Sequence, residues 1–224
     1  MAIAFVQSTS VDAGSVSSAN LAFTNNIAAQ SLLIVASRTG ATGGTNTVTD
    51  NVNAGNYAQD VLQDQTTDSH QAWIHSMANA GAGATTVTVT LDIARTLRFA
   101  IHEYSGLATS AALDQTNGGQ GNTNAPTSGN LVTTTADELI FGWNTNGDNP
   151  TPTAGASFFI RENIASGKAV SEDRIVAATG TYVADISLSL VDQWAMVGAT
   201  YKIAGGAAVA KASPAHVGSL SGWW

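Results

Sequence analysis

Four histidines, sixteen carboxylates and five tryptophans carry most of the chemistry available to this 224-residue chain. No cysteine is present, which excludes thiolate nucleophiles, zinc–thiolate sites and disulfides. The histidines are His70, His75, His102 and His216. His75, His102 and Glu103 could share a metal ion, but no HxH or HxxxH pair enforces it, and ordinary strand histidines are the plainer reading. Glu103 falls in phase with Leu97, Phe99 and Ile101, so it points inward if that face is buried. It would then need a partner, with Arg98, Arg95 or a backbone amide on offer; otherwise the strand leaves the core there. A serine hydrolase is the weaker alternative. The stretch GSLSG has the glycine spacing of a nucleophile elbow but Leu220 in place of the serine. Glycoside hydrolysis would need two acids in one cleft, and nothing in the sequence pairs Glu103, Glu138, Glu162 and Glu172.

Three stretches have the composition of binding sites. In TDNVNAGNYAQD the oxygen donors Asp50, Asn51, Asn53, Asn56 and Asp60 could hold calcium, although Val52 breaks the EF-hand order and the same residues make ordinary turns. In GWNTNGDN, Trp143 with Asn144, Asn146 and Asp148 has the aromatic and amide groups that sugar recognition uses. Trp143 shares its strand face with Leu139 and Phe141, which argues for a core position instead. The chain ends in SLSGWW. Trp223 and Trp224 close a Gly/Ala/Ser-rich tail, residues 204–224, expected to be flexible, with a reach of about 25 Å. Tryptophan is a typical anchor in interface pockets, so the pair could dock on a neighbouring subunit.

The elements that must position these residues are strands. Val87, Val89 and Leu91 alternate with threonines, and Ile186, Leu188 and Leu190 with serines, as half-buried strands do. Leu32–Val35 and Leu139–Phe141 are apolar on both faces, which predicts strands covered on both sides. Gly, Asn and Pro punctuate the intervals, and the best helical candidate, residues 164–175, has no consistent stripe. The order NLAFTNNIAAQSLLIVAS then VTVTLDIARTLRFAIHEY recurs as NLVTTTADELIFGWN then ISLSLVDQWAMVGATY. Residues 1–110 and 111–204 thus read as pseudo-equivalent halves, expected to contribute strands to both sheets of one sandwich domain spanning 1–203. The join at Leu107–Thr109 has no linker composition.

Charged residues make up only 11% of the chain, so Thr, Ser, Asn, Gln and Gly must build its surface. A net charge of −8 without a basic cluster argues against nucleic acid and anionic membranes as partners. The start MAIAFVQSTS lacks a basic region followed by an apolar one, and no run is apolar enough to insert in a membrane, which favours a protein assembled where it is made.

Several of these stretches also resemble a known module. VTDNVNAGNYAQ, AWIHSMANAGAGATTVTVTL, FAIHEYSGLATSAALDQT, TSGNLVTTTADELIFGWN and the late Asp192-Gln193-Trp194 are similar to a β-sandwich module of secreted bacterial and phage proteins. The resemblance covers residues 3–203. It implies a concanavalin-like or jelly-roll sandwich, an association with carbohydrate, no catalytic signature, and framework roles for Asp50, Tyr57, Glu103, Tyr104, Gly106 and Trp194. The expectation is an all-β, jelly-roll-like antiparallel sandwich without enzymatic activity or cofactor. It would serve as a structural protein of a phage virion, such as a head decoration or fibre-associated protein, homo-oligomeric and without nucleic acid contacts. The alternatives are a lectin-like module, secreted or on a cell surface as part of a larger protein, and calcium binding.

Overall fold

The computed structural model describes residues 2–55 and 57–205. The first half forms β1 (Ala4–Ala22), β2 (Ser31–Gly40), β3 (Asn46–Asp50), β4 (Ala58–Gln65), β5 (His70–Ala80) and β6 (Thr86–Ser105). The second forms β7 (Leu113–Thr123), β8 (Leu131–Val132), β9 (Glu138–Asn146), β10 (Pro152–Ala154), β11 (Phe159–Ile164), β12 (Ala169–Val176), β13 (Thr181–Tyr182), β14 (Ile186–Leu188) and β15 (Asp192–Lys202). The chain is all-β, and its strand pairs are antiparallel. Within the stretch 164–175 only Ala165–Gly167 is helical, as one 3₁₀ turn before β12.

The two halves do not exchange strands between sheets. Each lays down one whole sheet, in the order β1-β6-β2-β5-β4, with β3 also on β6, and β7-β15-β9-β12-β11. Short connections such as the β4–β5 turn let each half complete its ladders locally, without a crossover to the other sheet. Position by position the two orders coincide. Their registers coincide as well: Leu32 lies opposite Tyr104 and Ala36 opposite Ala100, while Leu139 lies opposite Tyr201 and Trp143 opposite Val197.

Doubly apolar strands are explained by layering. One face of β2 and β9 (Leu32, Ile34, Leu139, Phe141, Trp143) packs into a core between the sheets with Tyr104, Val197 and Tyr201. The other face of β2 is covered because the β1–β6 pair slips register at Asp12/Gly14 and again at Val16/Ser18. Such irregularities bend a strand pair, and here Val87, Val89 and Leu91 join Leu33, Val35 and Phe99 in a second cluster. The second sheet is capped instead by a separate two-stranded ribbon, β10 with β14, which lays Ile186 and Leu188 over Ile140, Val170 and Met196. Each such side chain contributes roughly 1.5–3 kcal/mol on full burial. Gly106 ends β6 at φ +80° beside Ala2, where a Cβ would come within 2.2 Å of the Ala2 carbonyl oxygen, so only glycine fits.

Candidate functional site

The groups best suited to catalysis are enclosed between the sheets. Tyr104 donates its phenol O–H to Asp173 Oδ2 at 2.6 Å, and Arg161 Nε donates to the same oxygen at 2.8 Å while its guanidinium lies 3.9 Å from the centre of the Phe5 ring. Ser171 Oγ accepts from the Glu162 backbone N–H at 3.1 Å and is hydrogen-bonded to His102 Nε2 at 2.9 Å. Both residues of this Ser–His pair are fully buried, so no substrate reaches them. Burial pushes His102 down to about 3 and His75 down to about 4. Glu162 in turn accepts from the hydroxyls of Ser8 and Ser10. These bonds brace β1 and β6 against β11 and β12.

Glu103 is buried as its phase predicted, and its partners are neither Arg98 nor Arg95. It accepts from Gln7 Nε2 at 2.7 Å, the Ala28 amide at 2.8 Å and Ser31 Oγ at 2.7 Å. Three donors satisfy a buried carboxylate without a cation. His102 points into the core between the sheets, whereas its neighbour Glu103 points to the opposite face, so the two do not converge with His75 on a metal. Glu172 is buried under the β10–β14 flap, accepts from the Gly155 and Asp185 amides at 3.0 Å each, and is pushed up to about 8, chiefly by burial. Glu138 Oε1 accepts from the Thr135 amide and hydroxyl, so Glu103, Glu138, Glu162 and Glu172 sit in separate networks.

The oxygen-rich loop is a turn organised by Asp50. Its carboxylate accepts from the Val52 and Asn53 amides, Asn53 Nδ2 and the Tyr57 phenol at 2.6–2.8 Å. Asp60 faces elsewhere, accepting from the Tyr201 phenol at 2.6 Å. Asn56 lies outside the described residues, as do Trp223 and Trp224. Among the described residues no cluster of three His, Asp or Glu side chains is arranged to hold a metal ion.

Trp143 is not a sugar platform. Its ring is fully buried, and its indole N–H donates to the Ser37 carbonyl at 3.0 Å, because the face it shares with Leu139 and Phe141 is the one turned to the opposite sheet. Asn144 and Asn146 are also fully buried, joined by a 3.0 Å amide–amide bond. Asp148 alone of the four is exposed, and its amide N–H donates to Asp192 at 2.9 Å.

An open, uncharged groove of about 420 Å³ lies beside that carboxylate, where the β4–β5 turn meets β7 and the start of β15. Gln65, Thr66, Thr67, Gln120, Asn122 and Gln193 line it. Gln65 is buried and clamps the base, its Nε2 donating to the carbonyls of Gly121 and Trp194 at 3.0 and 3.1 Å and its Oε1 accepting from the Thr67 amide at 2.8 Å. Gln120 Oε1 accepts from the Thr66 amide at 2.9 Å. Asn122 and Gln193 face each other across the β7–β15 ladder, a juxtaposition that depends on register and is invisible to motif reading. Comparison with family models, curated proteins and solved structures returned no match.

Proposed function

We propose that the chain is a non-enzymatic structural protein of an assembly, a virion surface component of the head-decoration or fibre-associated kind, joined to neighbouring subunits through its tail. The observation that carries this reading is the use made of the titratable groups: His102, Ser171, Glu103, Tyr104 and Asp173 are all buried, and their hydrogen bonds brace one element against another. A surface built mostly from neutral polar residues suits a particle exterior. The framework residues of the resembling module support it too, since Asp50 holds Tyr57 while Glu103 and Tyr104 are buried braces.

The test is light scattering after size exclusion on the full chain and on a chain ending at Gly205. Concentration-dependent association of the full chain, lost on shortening while the melting midpoint stays put, is the expected result. If both run as the same monomer at every concentration, the self-assembly reading fails. Trp223→Ala with Trp224→Ala in the full chain should reproduce the shortened form.

A further inference from the structure

The walls of the groove at the β4–β5 turn are tied across the sheets by Gln65 and the Thr66 amide, yet other amide groups that line it are left unused by those bonds. We propose that the groove binds a neutral oligosaccharide through the amides of Gln120, Asn122 and Gln193. Three observations lead there.

The first is which hydrogen-bonding groups are spent. Gln65 and the Thr66 amide are consumed in fixing the walls. The side-chain amides of Asn122 and Gln193, Gln120 Nε2 and the Thr67 hydroxyl make no hydrogen bond to any described residue. A primary amide offers a donor pair and an acceptor on one plane, and two of them side by side match adjacent hydroxyls on a sugar ring, each of which donates and accepts. Asn122 and Gln193 are such a pair, directly opposite in the ladder, where Cβ atoms lie about 5 Å apart.

The second is charge. No charged side chain lines the groove, and the carboxylates of Asp68 and Asp192 adjoin it in the chain at Thr67 and Gln193. With a net charge of −8 behind them, phosphate, sulfate and uronate are disfavoured, which leaves a neutral polyhydroxyl ligand.

The third is the contrast with the equivalent position in the first half. Registers place Gln120, opposite Ala195, where the first half has Asp12, opposite Arg98. Asp12 is consumed by Arg98 Nε at 3.0 Å. The same site in two equivalent halves therefore holds a closed ion pair in one and an amide facing an open groove in the other.

The full chain is to be screened on a printed panel of neutral hexose and N-acetylhexosamine oligosaccharides beside sialylated and uronate-containing ones, and the best neutral binder titrated by NMR. A few exposed hydrogen bonds predict a Kd on the order of 0.1–1 mM. Asn122→Ala with Gln193→Ala should weaken binding at least about tenfold with an unchanged melting midpoint. Should the double variant melt lower, Thr67→Ala is the second probe, with a loss of roughly threefold. No neutral oligosaccharide bound at about 10 mM, a hundredfold above the low end of that Kd range, would overturn the proposal. So would equal binding of the acidic glycans, or variants that fold normally and bind undiminished. Because the screen reads glycan binding and not oligomeric state, its failure leaves the assembly reading intact.

Discussion

Tyr104 and Tyr201 occupy equivalent positions in the two halves, and each reaches across the core to a carboxylate of the opposite sheet: Tyr104 to Asp173 on β12, and Tyr201 to Asp60 on β4, both at 2.6 Å. The equivalence extends to the receiving side. Both β4 and β11 slip register by one residue, between Gln59 and Val61 and between Ile160 and Glu162, and the residues at those bulges are Asp60 and Arg161. One half thus supplies a carboxylate from the bulge, and the other a guanidinium that holds a carboxylate on the neighbouring strand. The duplicated frame is retained while the charges have changed places.

Removing either phenol hydroxyl leaves a carboxylate short of a donor, which costs about 1–3 kcal/mol where the group is buried. Asp173 keeps Arg161 after Tyr104→Phe, whereas Asp60, which burial already pushes upward, has no such cation. Urea denaturation is expected to show both variants destabilised, with Tyr201→Phe the greater loss at neutral pH and the smaller at pH 4, where Asp60 can take a proton. Equal losses at both pH values would contradict this account of the pair.

Stability against pH is expected to peak near pH 6.5–7. Burial pushes His70 and His75 down to about 4 and His102 to about 3, so the unfolded chain takes up protons that the folded one refuses. Their contribution is complete above pH 6.5, the ordinary histidine value, and is lost as pH falls through it toward 4. Glu172 acts in the opposite sense. Pushed up to about 8, it favours the folded state below about 4.5 and loses that contribution as pH rises to 8. Three histidines outweigh one glutamate on the acid side, and the glutamate acts alone above pH 7, each proton contributing at most about 1.4 kcal/mol per pH unit. Melting midpoints from pH 4 to 9 should trace this dome. Glu172→Gln should flatten its alkaline limb, although the midpoint at pH 5 drops because an amide cannot accept from both Gly155 and Asp185.

Periodicity alone exposed the strands, their doubly covered faces and the doubled order of the chain, because alternation and apolar runs are local signals of burial. What alternation cannot show is which sheet a strand joins, and the halves accordingly keep their strands to themselves instead of sharing them. Glu103 shows the same boundary: its inward phase was legible, but Ser31, Ala28 and Gln7 became its partners through register and a returning loop. The amides that follow Trp143 resemble a sugar site, whereas the strand face it shares with Leu139 and Phe141 is the signal that decides its core position. The groove is not legible in the sequence because Asn122 and Gln193 are distant in it and meet only through the pairing of β7 with β15.

Trp143→Ala should therefore act on stability and not on binding. The ring fills the core opposite Ser37, and its removal leaves a cavity that typically costs 3–5 kcal/mol. Trp143→Phe, which keeps most of the volume but loses the indole N–H, is expected to cost less. Any oligosaccharide bound by the parent chain should be bound equally by the folded Phe variant, as measured by the same NMR titration. Selective loss of glycan binding without loss of stability would return Trp143 to the binding site.

The Asp50 turn separates a ligand loop from a structural one. Four protein donors already occupy its carboxylate, and the Asn53 and Tyr57 contacts, with the backbone amides, hold it below the ordinary carboxylate range despite partial burial. A calcium ion would have to displace those donors, and Asp60 could not follow without releasing Tyr201. The melting midpoint is expected to be the same with excess calcium and with chelator, since a ligand bound only by the folded state must raise it. Asp50→Asn, which weakens acceptance from the Tyr57 phenol and the two amides, should cost about 1–2 kcal/mol in either condition. A midpoint that rises with calcium in the parent chain but not in Asp50→Asn would establish the loop as a calcium site instead.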